Sequence, residues 1–163
     1  VRELSLREKL AYCAGVIDSD GTIGIKRNTY SVRVIGDSQQ PTYSERVCVK
    51  QVESAAVDLL KALFGGSRYL GGPGSNRGRP ILVWQVSDRK AIACLKALVP
   101  YLRIKREQAL NCLALRALKE KSKRAKVARG RGHRGSAPRP IELTTQMEAL
   151  KVRASELNRV GIR

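Results

Sequence analysis

The sequence predicts an α+β domain with the element order αββαββα, followed by two more helices. Three observations carry this reading. A well-signposted apolar helix opens the chain. Two pairs of strand-like segments follow, each with alternating apolar and polar positions. A helical stretch stopped by Gly65-Gly66 separates the two pairs. At 163 residues with 42% hydrophobic content, the chain is long enough for one domain with a real core.

The first helix begins at a capping box, Ser5-Leu-Arg-Glu8, with serine at N-cap and glutamate at N3. It is expected from about Leu6 to Asp18, with Gly21 ending the local geometry. Its second half is apolar all round and should be buried on more than one side. Ala11, Ala14 and Gly15 are small enough to let another backbone come close. Thr22 to Lys26 alternates, with Ile23 and Ile25 on one face and Gly24 and Lys26 on the other, and Ser31 to Ile35 continues the pattern. Gly36 to Pro41 reads as a turn or loop. Tyr43 to Gln51 is the return strand, with Val47 and Val49 inward and Ser44, Arg46 and Lys50 outward.

The second helix is expected at about Glu53 to Phe64. A second strand pair spans Ser67–Leu70 and Ile81–Val86, joined by a glycine-rich loop from Gly71 to Gly78. Ser87 or Asp88 can cap a third helix that ends before Pro100, and a fourth runs from about Arg103 to Lys119. Residues 119–140 break the composition, with nine basic residues, one acid and several Gly and Pro. They are expected to form a loop between a core at residues 1–118 and a last helix within 141–163. Thr145-Gln-Met-Glu148 reads as a second capping box opening that helix, which should reach about Asn158.

Thirty-two Lys and Arg against fourteen Asp and Glu give a formal charge of +18 and point to a polyanionic partner, with nucleic acid the default. Aromatic content of 4% and the absence of a basic helix with Trp or Phe anchors argue against a membrane surface. No run reaches the roughly eighteen apolar residues of a membrane span. The first residues lack an apolar signal core, so secretion is not expected. Cys13, Cys48, Cys94 and Cys112 form no Cys-x-x-Cys pair and lie among apolar neighbours. They read as buried free thiols of a protein kept in a reducing intracellular compartment. The single histidine, His133, excludes most chemistry that needs paired histidines.

In so basic a chain, acid at the end of an apolar helix needs a reason. A helix C-terminus already carries partial negative charge and unpaired carbonyls, and Asp18 and Asp20 add like charge to it. The arrangement makes sense if a hard divalent cation binds. The Asp20 carboxylate and the Ser19 carbonyl are suitable ligands for Mg²⁺, which keeps several waters and accepts a substrate phosphate. By spacing alone the same residues also read as a surface Asp-Ser-Asp-Gly turn.

Ala11-Tyr-Cys-Ala-Gly-Val-Ile-Asp-Ser-Asp-Gly-Thr22 resembles the signature of the LAGLIDADG homing endonucleases. Leu98-Val-Pro-Tyr-Leu-Arg-Ile-Lys-Arg-Glu-Gln-Ala109 resembles the Pro-aromatic-Leu-basic-x-Lys stretch of their single-motif, homodimeric branch. The resemblance covers roughly residues 5–118 and implies a saddle-shaped antiparallel sheet. It implies Asp20 as the essential metal ligand, the Ser19 carbonyl as a second ligand, Gln51 as the residue that positions water, and Lys105 as the basic group near the scissile phosphate. Mg²⁺ is the implied ion, with Mn²⁺ able to substitute. Serine at position 19, where the family often has glycine or alanine, is a mild departure that a carbonyl ligand tolerates. A basic residue expected early in the second helix is missing. Ala11, Ala14, Gly15 and Asp18 would lie at the crossing of two signature helices, Asp18 as a helix-end structural residue. Without the resemblance, Lys105 would read as part of a solvated helix face and Gln51 as a strand-end polar residue.

The outward faces of the strands and their loops carry Lys26, Asn28, Tyr30, Arg33, Gln39, Gln40, Ser44, Arg46, Lys50, Arg68, Arg77, Arg79 and Gln85. They form either the solvated side of an antiparallel sheet or a ribbon that reads base edges in the major groove. Their excess of Arg, Lys, Asn and Gln over acid favours the groove. Arg27 could face either way if a bulge shifts the register. Arg129, Arg131 and Arg134 in the basic segment would touch phosphates without reading sequence. No second copy of residues 10–21 occurs, so the chain carries one active-site half or none; the resemblance, whose members need two signature helices side by side, implies a symmetric dimer. The function the resemblance implies is an intron-encoded endonuclease. As a homodimer it would cut a long pseudo-palindromic double-stranded DNA site and leave short 3′ overhangs. The alternative is an intron maturase of the same fold that binds intron RNA.

Overall fold

The computed structural model describes residues 2–28, 41–71, 80–127 and 140–160. The order is α1 (Leu6–Asp20), β1 (Gly21–Asn28), β2 (Thr42–Gln51), α2 (Ser54–Phe64), β3 (Ser67–Gly71), β4 (Ile81–Ser87), α3 (Asp88–Leu98), α4 (Arg106–Val127) and α5 (Ile141–Val160). This is the expected αββαββα order followed by two helices. The strands form one antiparallel sheet in the order β1-β2-β4-β3. The strand reading of residues 31–35, the loop at 36–40, most of the 71–78 connection and residues 128–139 lie outside the described residues.

The helix-to-strand junction at Gly21 is set by space. A Cβ there would lie 2.7 Å from both the Cα and the carbonyl oxygen of Ile17. Only glycine lets the chain turn straight from α1 into β1. The capping box at α1 is present, with the Glu8 amide donating to Ser5 Oγ at 3.3 Å and the Ser5 amide to Glu8 Oε2 at 2.8 Å. At the other end α1 runs two residues further than expected, so Asp20 sits in its final turn. After α2, Gly65 and Gly66 both take positive φ. Gly65 turns its carbonyl to the buried Trp84 indole N–H at 2.8 Å, and a Cβ on Gly66 would meet Val86 at 2.4 Å.

One face of the sheet builds the core. Ile23 and Ile25, Val47 and Val49, and Leu82, Trp84 and Val86 pack beneath Cys13, Ile17, Val57, Leu60, Leu95 and Leu98 of the first three helices. α4 adds Ala109, Cys112 and Leu115, while α5 adds Met147 and Ala154. α5 also covers the β1 edge, where Asn158 donates to the Ile23 carbonyl at 3.0 Å and Glu148 pairs with Arg27 at 3.3 Å.

Several sequence expectations are corrected. α4 continues to Val127, so the first part of the 119–140 segment is helix rather than loop. α5 starts at Ile141, so Thr145 and Glu148 lie inside it and form no capping box. Thr145 instead donates to the Ile141 carbonyl at 3.0 Å, and Glu148 accepts from Tyr43. Ser87 occupies the N-cap of α3 without a side-chain hydrogen bond, and Asp88 adopts φ +52. Three cysteines are buried, but Cys48 is only half-buried on the polar face of β2.

The core also holds an unexpected carboxylate. Glu45 on the inner face of β2 is fully buried. It accepts from Arg116 at 2.6 Å and Lys119 at 3.0 Å, and Lys119 also reaches Asp88 at 3.0 Å. This cluster ties β2 and the start of α3 to α4. Replacing one partner of a buried ion pair leaves the others uncompensated. Glu45→Ala should therefore destabilise the fold by about 3 kcal/mol, read as a lower urea midpoint. Gly66→Ala, which must both adopt positive φ and displace Val86, should lose about 2 kcal/mol by the same measurement.

Candidate active site and nucleic-acid interface

The last turn of α1 leaves carbonyls without helical partners. Lys105 supplies donors to two of them, at Asp18 and Ser19, and also to the Ile17 carbonyl, which accepts the Gly21 amide as well. Its Nζ lies 2.8 Å from the Ile17 oxygen, 2.8 Å from that of Asp18 and 3.3 Å from that of Ser19. Lys105 stands in the turn between α3 and α4, and Asp18 holds that turn. One Asp18 oxygen accepts the Arg103 amide at 2.7 Å and the other the Lys105 amide at 2.9 Å. Burial lowers the proton affinity of Lys105 below the ordinary lysine range, and the charges of Asp18 and Asp20 oppose that shift.

Gln51, the last residue of β2, donates from Nε2 to Asp20 Oδ2 at 2.8 Å. The sheet and the α3–α4 turn thus bring Asp20, Gln51 and Lys105 to one point at the end of α1. Ser19 and Asp20 are exposed there, and the Ser19 hydroxyl turns back to the Val16 carbonyl at 3.1 Å, leaving its own carbonyl at the tip. Among the described residues no group of three or more His, Cys, Asp or Glu could hold a metal ion. The Asp20 carboxylate and the Ser19 carbonyl are an all-oxygen set suited to a hard cation, but they supply only part of the six or so ligands such an ion takes. The residues fit one side of a divalent-metal site.

The four positions expected at a helix crossing separate. Ala11 and Gly15 are exposed on α1 together with Tyr12. A Cβ on Gly15 would meet nothing within 4 Å. Ala14 is a correction: it is fully buried in the chain's own core and cannot touch a partner. Asp18 is half-buried, its carboxylate engaged with the Arg103 and Lys105 amides, which places it with the turn it holds.

The register sorts the polar candidates. Cross-strand partners share a face, and the pairs Lys26–Ser44, Gly24–Arg46, Thr22–Cys48 and Cys48–Gln85 lie opposite the core. Lys26, Asn28, Ser44, Arg46, Lys50 and Gln85 all belong to this outer face. Arg46 donates to Gln85 Oε1 across it. Arg68 is a correction: it pairs with Trp84, on the core-side face, and its guanidinium meets Asp58 of α2 at 2.6 Å. Tyr30, Arg33, Gln39, Gln40, Arg77, Arg79, Arg129, Arg131 and Arg134 lie outside the described residues.

A groove of about 520 Å³ runs over the outer face, lined by Thr22, Gly24, Ile25, Lys26, Arg27, Arg46, Cys48, Lys50 and Lys151. Sequence reasoning missed Lys151, because nothing local places α5 beside β1. Arg27 is on the core-side face by register, yet its long side chain at the β1 edge reaches the groove as well as Glu148. Among the described residues no helix is long and apolar enough to cross a membrane.

No family model and no curated protein sequence matches the chain. Solved structures do. The homing endonuclease I-CvuI, in complex with a target DNA in the presence of Mg, is 19% identical with a TM-score of 0.66, over 93% of this chain and 82% of that one. The archaeal intron-encoded homing endonuclease I-Vdi141I, complexed with DNA, is 13% identical with a TM-score of 0.65, over 94% and 86%. The LAGLIDADG homing endonuclease I-LtrWI, bound to target DNA, is 16% identical with a TM-score of 0.54, over 70% of this chain and 38% of that one. The single antiparallel sheet, the signature helix feeding its first strand and these matches agree: the chain has the fold of the LAGLIDADG homing endonucleases.

Proposed function

We propose that the chain is an intron-encoded, site-specific DNA endonuclease that works as a homodimer and hydrolyses phosphodiester bonds with a divalent cation. The observation that carries this reading is the meeting of Asp20, Gln51 and Lys105 at the exposed end of α1, beside a basic sheet face. The structural neighbours named above are homing endonucleases bound to DNA, which supports the same reading. Nothing in the fold or the matches favours the splicing-cofactor alternative.

The outer face suits the major groove, which accepts a two-stranded ribbon. Lys26 and Arg46 would suit guanine, and Asn28 and Gln85 adenine, once Arg46 releases its contact with Gln85. At the cutting centre Asp20 and the Ser19 carbonyl would hold Mg²⁺, with Mn²⁺ as a substitute. Such an ion activates water and stabilises the leaving oxygen. Gln51 fixes the orientation of the Asp20 carboxylate through its amide. Lys105 brings positive charge to the place where phosphate charge develops.

Pairing of two chains supports the rest. I-SmaMI is a longer chain of this fold: 93% of the present chain covers only 46% of it, which leaves room for about a second unit. The exposed Ala11 and Gly15, flanked by Tyr12, offer a seam for a second α1. A two-fold dimer implies a nearly palindromic target, and cuts on both strands across the minor groove leave short 3′ overhangs. Four free cysteines suit a reducing intracellular compartment.

Two experiments test the proposal. The purified protein is incubated with a library of DNA sites, in Mg²⁺ or in EDTA, and double-strand breaks are mapped by sequencing. Cutting should occur only with metal and at one sequence class. Asp20→Asn should lower it by roughly a hundredfold or more while leaving DNA affinity nearly intact. Breaks that persist in EDTA, or affinity lost in Asp20→Asn, would overturn the assignment. For assembly, the wild-type chain should scatter light as a dimer. Gly15→Glu places a charge in the seam where the isolated chain has open space. It should give a folded monomer by light scattering and circular dichroism; a persisting dimer would move the interface elsewhere.

A further inference from the structure

The lysine at the end of α1 has a feature that its assignment to a scissile phosphate does not use. An ammonium carries three N–H donors, and Lys105 places all three among the carbonyls of Ile17, Asp18 and Ser19. In this state it has no donor left for a phosphate. The three contacts are unequal. Those to Ile17 and Asp18 are 2.8 Å, while that to Ser19 is 3.3 Å and the weakest. Ser19 is also the carbonyl that, together with Asp20, forms the oxygen set suited to a hard cation.

Resting on the metal assignment made above, we propose that Lys105 is the built-in cation of the α1 terminus and competes with the divalent ion for the Ser19 carbonyl. Two cations on one carbonyl repel each other, so an ion at Ser19 expels the ammonium from its longest contact. The lysine stem does not leave with it, because Asp18 keeps the Lys105 and Arg103 amides in place. The swing frees an N–H to reach a phosphate oxygen. Lysine therefore becomes available to the substrate only when the ion is present. With the contacts it makes here, it holds the carbonyl end of the helix.

The competition is measured by calorimetry with Ca²⁺ alone, on the full chain without DNA. Lys105→Met should bind Ca²⁺ roughly tenfold more tightly than wild type. Lys105→Gln gives the same comparison if the methionine variant fails to fold by circular dichroism. Arg103→Met removes an equal charge from an exposed side chain two residues away and leaves the carbonyls untouched. It should change the affinity by less than about twofold. The Lys105 Nζ resonance, followed by NMR in the wild-type chain, should move as Ca²⁺ is added. Equal or weaker binding by the Lys105 variants, the same gain in Arg103→Met, or an unmoved Nζ resonance would overturn the inference. DNA cutting is scored separately. A chain that shows the competition yet cuts nothing keeps this inference and loses the nuclease reading. One that cuts without the competition loses only the inference.

Discussion

The structure depends on how one helix end is neutralised. α1 delivers its unpaired carbonyls, its partial negative charge and two carboxylates to the same few ångströms. Within the chain the answer comes from a single turn between α3 and α4. Asp18 captures the amides of that turn, and Lys105 returns its ammonium to the α1 carbonyls. The contact works in both directions, since the turn stops the helix end from repelling itself and the helix end fixes the turn. Because the residues involved are more than eighty positions apart, the contact also sets where α3 and α4 stand relative to the first helix.

The sheet divides the labour of the remaining residues. Alternation sends Ile23, Val47, Val49, Trp84 and Val86 into the core and Lys26, Arg46, Lys50 and Gln85 to the opposite side. The basic side stays open because the helices lie beneath the sheet and α5 closes only the β1 edge. Glu148 and Asn158 fasten α5 to that edge, and Lys151, between them in sequence, becomes one wall of the groove. A helix outside the αββαββα unit thus adds to its charged surface.

What could be read in the sequence follows how local each cause is. The capping box at Ser5 and Glu8 involves neighbours three residues apart and is legible, as are the inward faces of β1 and β2. The acidic helix tip is legible too, because its charge conflicts with its position. The same motif at Thr145 and Glu148 misleads, since Tyr43 and Arg27 claim the Glu148 carboxylate in the folded chain. Residues 119–127 look like loop by charge. They are helical because Lys and Arg are good helix formers and Lys119 has partners in the buried Glu45 and the half-exposed Asp88. Arg68 looks outward until the β3–β4 register is known, since one residue of slip exchanges the faces. Ala14 and Gly15 look alike as small residues; only packing puts the first inside and the second outside.

The charge at the α1 tip also bears on assembly. If two chains meet along the Ala11–Gly15 stripe, they bring two Asp20 carboxylates and two sets of carbonyls together, and the repulsion grows as the helices close. Lys105 offsets part of it within each chain, but its burial already opposes its charged state. In such a pair a divalent ion would offset the remaining repulsion, with the Asp20 carboxylate and the Ser19 carbonyl as the groups that would hold it. By linkage, whatever favours the closed pair also favours the ion, and the reverse. DNA phosphates, if they meet the same place as proposed, would raise the demand for cations further. The acid is therefore harmful to the isolated helix and would be useful in the proposed pair, which gives a physical reason for a strongly basic chain to keep it at that one position.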